Sequence, residues 1–238
     1  MEQFPVLILT GRPASGKSEI IDYLLHLDPV ERLHRFRIGE PDILDDFPML
    51  WTWFEEDHIL SHVLGKARLY TDDEGYFLNT YLWNLLIQRL DLDYHKRLRD
   101  DLSYHHHTTA IIEFSRGSEH GGYSEAFSQL SDELLSRAVI LYVRVSFAES
   151  LRKNRRSFNP NKPDSILEHG LPDAKLERLY RLDDWDELTR SDPDYLTIRN
   201  IKAPYAVFEN EDDVTTGKPD RLAVRLEAAC QKLWLART

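Results

Sequence analysis

The chain has 238 residues, with 30 Lys and Arg against 41 Asp and Glu for a formal charge of -11, and 42% hydrophobic, 11% aromatic and 30% charged residues. That is a globular composition of a size for one large domain carrying an insertion, and its acidic balance argues against a nucleic-acid partner, since affinity for phosphate backbones rests on Lys and Arg. No apolar run approaches the ~18 residues of a membrane span, the first residues have no basic head, and Cys230 has no second cysteine to pair with, which together predict a reducing, cytoplasmic setting with no membrane.

Residues 4–10 (FPVLILT) form a short apolar, β-branched run ended by Gly11, the pattern of a buried strand closed by a turn. Residues 18–27 read as a helix. A second strand is predicted at 35–39 (RFRIG), closed by Glu40 and Pro41. The stretch from 40 to 108 reads as mainly helical, with Phe77, Tyr81, Leu85 and Leu86 at helical spacing inside one long amphipathic segment, 75–102. Strands are predicted again at 109–114 and 138–145, separated by a helical segment at 124–136. Residues 147–156 read as helix, 157–172 as a loop rich in Pro, Asn and Gly, and 174–188 as helix. A last strand at 205–209 precedes a final helix at 220–236. Strands alternating with helices imply a parallel sheet, here of about five strands, covered on both faces.

Gly11-Arg12-Pro13-Ala14-Ser15-Gly16-Lys17-Ser18 fits G-x-x-x-x-G-K-[ST] in full, between a predicted strand and a predicted helix. At this chain's own residue frequencies the pattern arises by chance in roughly one such chain in six hundred. The chemistry explains the residue types. Glycines let backbone N–H groups curl around phosphate oxygens, and the helix N-terminus adds its positive dipole end. Lys17 supplies a mobile charge to the β- and γ-phosphates, and the Ser18 hydroxyl can ligate Mg²⁺. Arg12 and Ser15 would bind mainly through their backbone N–H groups. On this motif the chain resembles the P-loop NTPase superfamily, which implies a three-layer α/β fold and a nucleoside triphosphate ligand.

Two classes within that superfamily are open. Asn161-Lys162-Pro163-Asp164 matches the N-K-x-D guanine motif of GTPases and Asp72-Asp73-Glu74-Gly75 their D-x-x-G, but Asn161 follows a polar stretch and not a hydrophobic strand. A kinase needs an acceptor pocket, a carboxylate for the acceptor hydroxyl, Mg²⁺, and positive charge over the transferring phosphoryl group. Arg152, Arg155 and Arg156 lie on the predicted helix before the flexible loop, which suits a lid over residues 150–190. With Leu141-Tyr142-Val143-Arg144 this segment resembles the strand and lid helix of nucleoside and nucleotide kinases. Glu40-Pro41, followed ten residues later by Trp51, resembles the deoxynucleoside kinase pattern in which that glutamate is the general base. Glu113-Phe114-Ser115-Arg116 resembles the acidic-plus-arginine motif of the same group, which binds Mg²⁺ or substrate phosphate. Asn210 to Val214 resembles the adenine-side loop, where an Asn contacts the base.

Seven carboxylates between positions 40 and 57, with no Lys or Arg, are interleaved with Trp51, Trp53 and Phe54, a surface suited to a neutral, ring-containing, hydroxyl-bearing acceptor. The expectation is therefore transfer of the γ-phosphoryl of ATP, with Mg²⁺, to a small nucleoside-like molecule. Lys17, Glu40, Arg152, Arg155 and Arg156 would be catalytic, and residues 11–18 with Asn210 would bind the nucleotide. Ser18 and Glu113 would hold the metal, and Asp42, Trp51 and Arg116 the acceptor. A nucleotide-dependent regulatory switch and a polynucleotide 5′-kinase are the alternatives.

Overall fold

The computed structural model describes residues 2–157 and 171–237, so the N-K-x-D segment at 161–164 and most of the loop predicted at 157–172 lie outside the described residues. β1 (Val6–Gly11) is buried along its whole length and runs through the loop at 12–16 into α1 (Lys17–His26). The strand predicted at 35–39 is instead the end of α2 (Pro29–Phe36) and the turn after it. Asp28 caps that helix by accepting from the Val30 and Glu31 N–H groups at 2.9 and 3.2 Å, and Pro29 stands in its first turn. The second strand, β2 (Glu40–Asp45), begins where the sequence reading ended it. β2 is an edge strand, which accommodates Pro41.

α3 (Phe47–His58) continues into a π-helical turn at Ile59–Val63, and a loop then leads to α4 (Tyr81–Asp100) and the short α5 (Tyr104–His107). Asp57 organises that loop, for its buried carboxylate accepts from the N–H groups of Leu69, Tyr70 and Thr71 and from the Thr71 hydroxyl. There follow β3 (Thr108–Phe114), α6 (Gly122–Ser128), α7 (Asp132–Leu135), β4 (Ala138–Arg144) and α8 (Phe147–Ser157). Beyond residue 170 come α9 (Asp173–Tyr180), α10 (Trp185–Leu188), β5 (Tyr195–Ile198), β6 (Ile201–Glu209) and α11 (Pro219–Ala236).

Among the described residues the strands form one six-stranded sheet in the order β2-β3-β1-β4-β6-β5, parallel except for β5. The expectation of about five parallel strands is met, with β5 added as an antiparallel hairpin partner of β6 through the two-residue turn Arg199-Asn200, where Arg199 has φ 53°. The strand pleat sends Leu7 and Leu9 to one face, against Ile20 and Leu24 of α1, Phe36 of α2 and Leu226 and Leu233 of α11. Val6 and Ile8 face the other way, against Ile87 and Tyr94 of α4 and Phe127 of α6. The result is a three-layer α/β fold whose five parallel strands all end on one edge, at Gly11, Asp45, Phe114, Arg144 and Glu209. Crevices outside that edge are where such sheets bind ligands.

Candidate active site

The glycine-containing loop at 11–16 is shaped by its glycines and braced from behind. Gly16, at φ 112°, forms the left-handed entry to α1, and a Cβ there would lie 2.6 Å from both Asn210 Nδ2 and Thr215 Oγ1. Asn210 is fully buried: its Nδ2 donates to the Ser15 carbonyl (2.7 Å) and to Thr215 Oγ1 (2.9 Å), while its Oδ1 accepts from Val214 N–H (2.9 Å). It therefore holds the loop and is not placed to touch a base, which corrects its expected role. The Ser150 hydroxyl donates to the Pro13 carbonyl, and the Arg12 side chain bonds the Tyr180 and Val145 carbonyls and pairs with Asp183 at 2.7 Å. The backbone of the loop is thus held on three sides by elements distant in sequence.

Lys17 is 6% exposed. Its Nζ donates to the carbonyls of Gly11 and Arg12 and to Ser115 Oγ (3.4, 3.1 and 2.8 Å), and lies 3.8 Å from Glu113 Oε1. Asp45 is the register partner of Glu113 across the neighbouring strands, and Asp46 follows it. Burial, then the nearby charges of Glu113 and Asp46, push the Asp45 carboxyl up to about 7 against the pull of the Phe47 N–H and Lys17. Glu113 is also raised, mainly by burial, with Lys17 opposing the shift. Arg116 is buried against Asp46 at 2.7 Å and bonds the Ser115 and Trp83 carbonyls, so it positions this carboxylate cluster and does not line the cavity beside it.

Glu40 stands at the other end of β2. Five residues before Asp45, or roughly 17 Å along a strand, it is 69% exposed and paired with Arg32 at 3.0 Å. The base expected there is corrected by that placement, because the strand begins at Glu40 where the sequence reading had it end. Asp42 lies within the same strand and accepts from Arg97 Nε (3.0 Å) and the Tyr104 hydroxyl (2.8 Å), so it holds α4 and α5 to the sheet. The arginines expected to belong to a lid are engaged with carboxylates: Arg152 with Glu149 and Asp213, Arg156 with Asp213, and Arg155 with Asp173.

Trp51 lines a cavity of about 660 Å³ between α3, the loop before α4, and α9. Phe47, Phe54, Phe77 and Trp83 supply further aromatic wall, and His120 and Tyr180 close one side. Two wall residues join it to the phosphate loop and the carboxylates. Phe47 N–H donates to Asp45 Oδ1 at 3.0 Å, and the Tyr180 carbonyl accepts from Arg12 Nε at 3.2 Å. Asp45 and Asp46 were hidden in the sequence among the other acidic residues of 40–57. The apolar pair Ile43-Leu44 just before them is the signal of a strand end that would have singled them out. His120 and Tyr180 carried no local signal.

Hard oxygen donors suited to Mg²⁺ are present at this edge in Glu113, Asp45 and the exposed Ser18, although no group of three or more metal-ligating side chains is assembled among the described residues. The Ser15 hydroxyl, buried within the loop and without a partner among the described residues, fits a site that takes an oxyanion.

No family model matches the chain, and no curated protein matches it. Among solved structures, a protein from Thermus thermophilus is similar over 99% of this chain and 98% of its own, at 17% identity and a TM-score of 0.41. A sugar kinase from Janibacter sp. is similar over 100% and 99%, at 10% identity and a TM-score of 0.43. Likeness at this level leaves the chemistry to be read from the site.

Proposed function

We propose that the protein is a P-loop phosphotransferase that moves the γ-phosphoryl group of ATP, with Mg²⁺, to a hydroxyl of a small molecule. The observation that carries this reading is the pairing of Lys17 with carboxylates of raised proton affinity at an edge that adjoins an aromatic cavity. The loop at 11–18 and the N-terminus of α1 bind the phosphates, and Lys17 exchanges its bonds to the Gly11 and Arg12 carbonyls for phosphate oxygens. Bound Mg²⁺ would neutralise phosphate charge, with Ser18 and Glu113 as the residues to hold it. Asp45 accepts the proton of the acceptor hydroxyl, a task for which a base titrating near neutrality is well matched. Arg152 and Arg156 would have to exchange Asp213 for a phosphate oxygen to assist the transfer.

The test is Mg²⁺-dependent ADP release from ATP, with and without nucleosides, nucleoside monophosphates and polyols. One acceptor class should stimulate release, Asp45→Asn should lower the stimulated rate by about 10²-fold or more, and Lys17→Ala should abolish both rates. Slow release indifferent to every acceptor would instead mark a regulatory ATPase.

A further inference from the structure

A second cavity, of about 350 Å³, lies between the end of α2 and the C-terminal half of α11. It stands at the opposite end of the sheet from Lys17. Beside the start of β1 the Phe4 N–H donates to the Arg37 carbonyl at 2.8 Å, and Phe4 is seven residues, or roughly 23 Å along a strand, from Gly11.

The backbone singles out Arg37. It closes α2 in the left-handed region (φ 58°, ψ 31°), with its N–H donating to the Leu33 carbonyl at 3.1 Å. Glycine commonly fills that position at a helix end, because a Cβ is disfavoured there. An arginine kept against the preference of the backbone points to a task for its side chain. The guanidinium lies over the Trp234 ring at 4.8 Å, and Arg237 meets the same ring at 5.3 Å. Stacking of this kind orients the guanidinium without using its N–H donors, and these have no acceptor among the described residues.

The other lining groups set the charge and size of a ligand. Arg35 spends its donors on Glu227, at 3.0 and 2.9 Å, and on Glu31 at 2.6 Å. Arg35 and Glu227 therefore cancel, and Arg37 leaves the lining formally one positive charge in excess, on a chain whose formal charge is -11. A monoanion balances that charge, whereas a dianion brings a second charge with no counterpart. His34 and Gln231 add hydrogen-bonding groups that no described residue engages, and Trp234 with the 74% exposed Leu235 gives one side an apolar surface. A cavity of about 150 Å³ takes benzene, so the volume here holds one ring together with its charged substituent.

We propose that this cavity is a binding site for a monocyclic carboxylate, whose two oxygens accept from the fork of the Arg37 guanidinium and whose ring lies against Trp234 and Leu235. The site is separate from the loop at 11–16 and from the aromatic cavity, and its occupation needs no phosphoryl transfer.

Isothermal titration calorimetry with benzoate tests this. The comparison ligands are benzyl alcohol, benzylamine and phenyl phosphate, which keep the ring and make the substituent neutral, cationic or dianionic. On the unaltered protein benzoate should bind about tenfold or more tighter than benzyl alcohol or benzylamine. Arg37→Asn, whose side chain tolerates the left-handed backbone, should remove that margin. Arg37→Lys, which keeps the charge but not the fork, should retain only part of it. The proposal is overturned if benzoate binds no tighter than benzyl alcohol, if Arg37→Asn leaves benzoate binding unchanged, or if phenyl phosphate binds tighter than benzoate in a manner that Arg37→Asn abolishes. Removing Thr238, which lies outside the described residues, should leave benzoate binding unchanged. Tighter binding after its removal would give the Arg37 guanidinium to the chain itself and also overturn the proposal. Should Arg37→Asn not fold, the comparison of ligands on the unaltered protein and the Arg37→Lys variant still decide.

Discussion

Asp45 shows how a single side chain can work against stability in the service of a site. Its carboxyl is half-buried beside Glu113 and Asp46, and this desolvation with their charges makes the folded state hold the proton up to about 7, whereas the unfolded chain releases it near the ordinary 3.8. A raised carboxyl contributes its stabilisation in full below the unfolded value and loses it as pH rises through the folded one. Asp45→Asn, which keeps the shape and removes the charge, should therefore raise the thermal midpoint in neutral and alkaline buffer, with an advantage that shrinks toward pH 4. Thermal denaturation from pH 4 to 9 checks this. The same strand explains why the sequence reading looked for a general base at Glu40, which it took for a strand end and which is the strand's first residue. The segment 35–45 holds two apolar clusters, and only the cap at Asp28-Pro29 tells that the first belongs to a helix.

At the scale of elements, the phosphate loop depends on a strand far from it in sequence. The turn after β6 delivers Asn210 and Thr215 to the back of Gly16 and the Ser15 carbonyl, filling the space a side chain at 16 would need. Gly16→Ala would place a Cβ against Asn210 and Thr215 in a backbone region that L residues avoid. A loss of about 1–3 kcal/mol is expected, read by chemical denaturation, together with weaker ATP binding by nucleotide titration. The turn from Gly11 to Ser18 was legible because its shape is local, needing contiguous residues of small size and left-handed freedom. The brace behind it was not, because Asn210 looks from the sequence like any polar residue in a turn.

Across the whole molecule, the sheet separates two cores, and Cys230 lies deep in the one formed by α1, α2 and α11. It is 1% exposed, and burial pushes its thiol up to about 12. Reaction with a thiol reagent at pH 8 should then be undetectable in the native state and should follow global unfolding, which parallel thiol titration and circular dichroism in increasing denaturant would show. The alternation of apolar runs also made the layered sheet legible, since burial on both faces demands continuous hydrophobic strands. The hairpin strand β5 escaped notice because four residues, of which only Leu196 and Ile198 are buried, leave a weak pattern.

What the sequence determined by itself is the strand, glycine-containing loop and helix at residues 6–26, together with the parallel α/β frame around them. These follow from backbone rules and hydrophobic period, which act over a few residues. Only the tertiary structure decided that Asp45 and not Glu40 stands beside Glu113, that Arg152 and Arg156 are engaged with carboxylates, and that Phe47, Trp83, His120 and Tyr180 share one cavity. Strand register and side-chain pairing join residues far apart in the chain, such as Asn210 and Ser15, 195 positions apart, and a register shift of a few residues moves a carboxylate from one end of the sheet to the other.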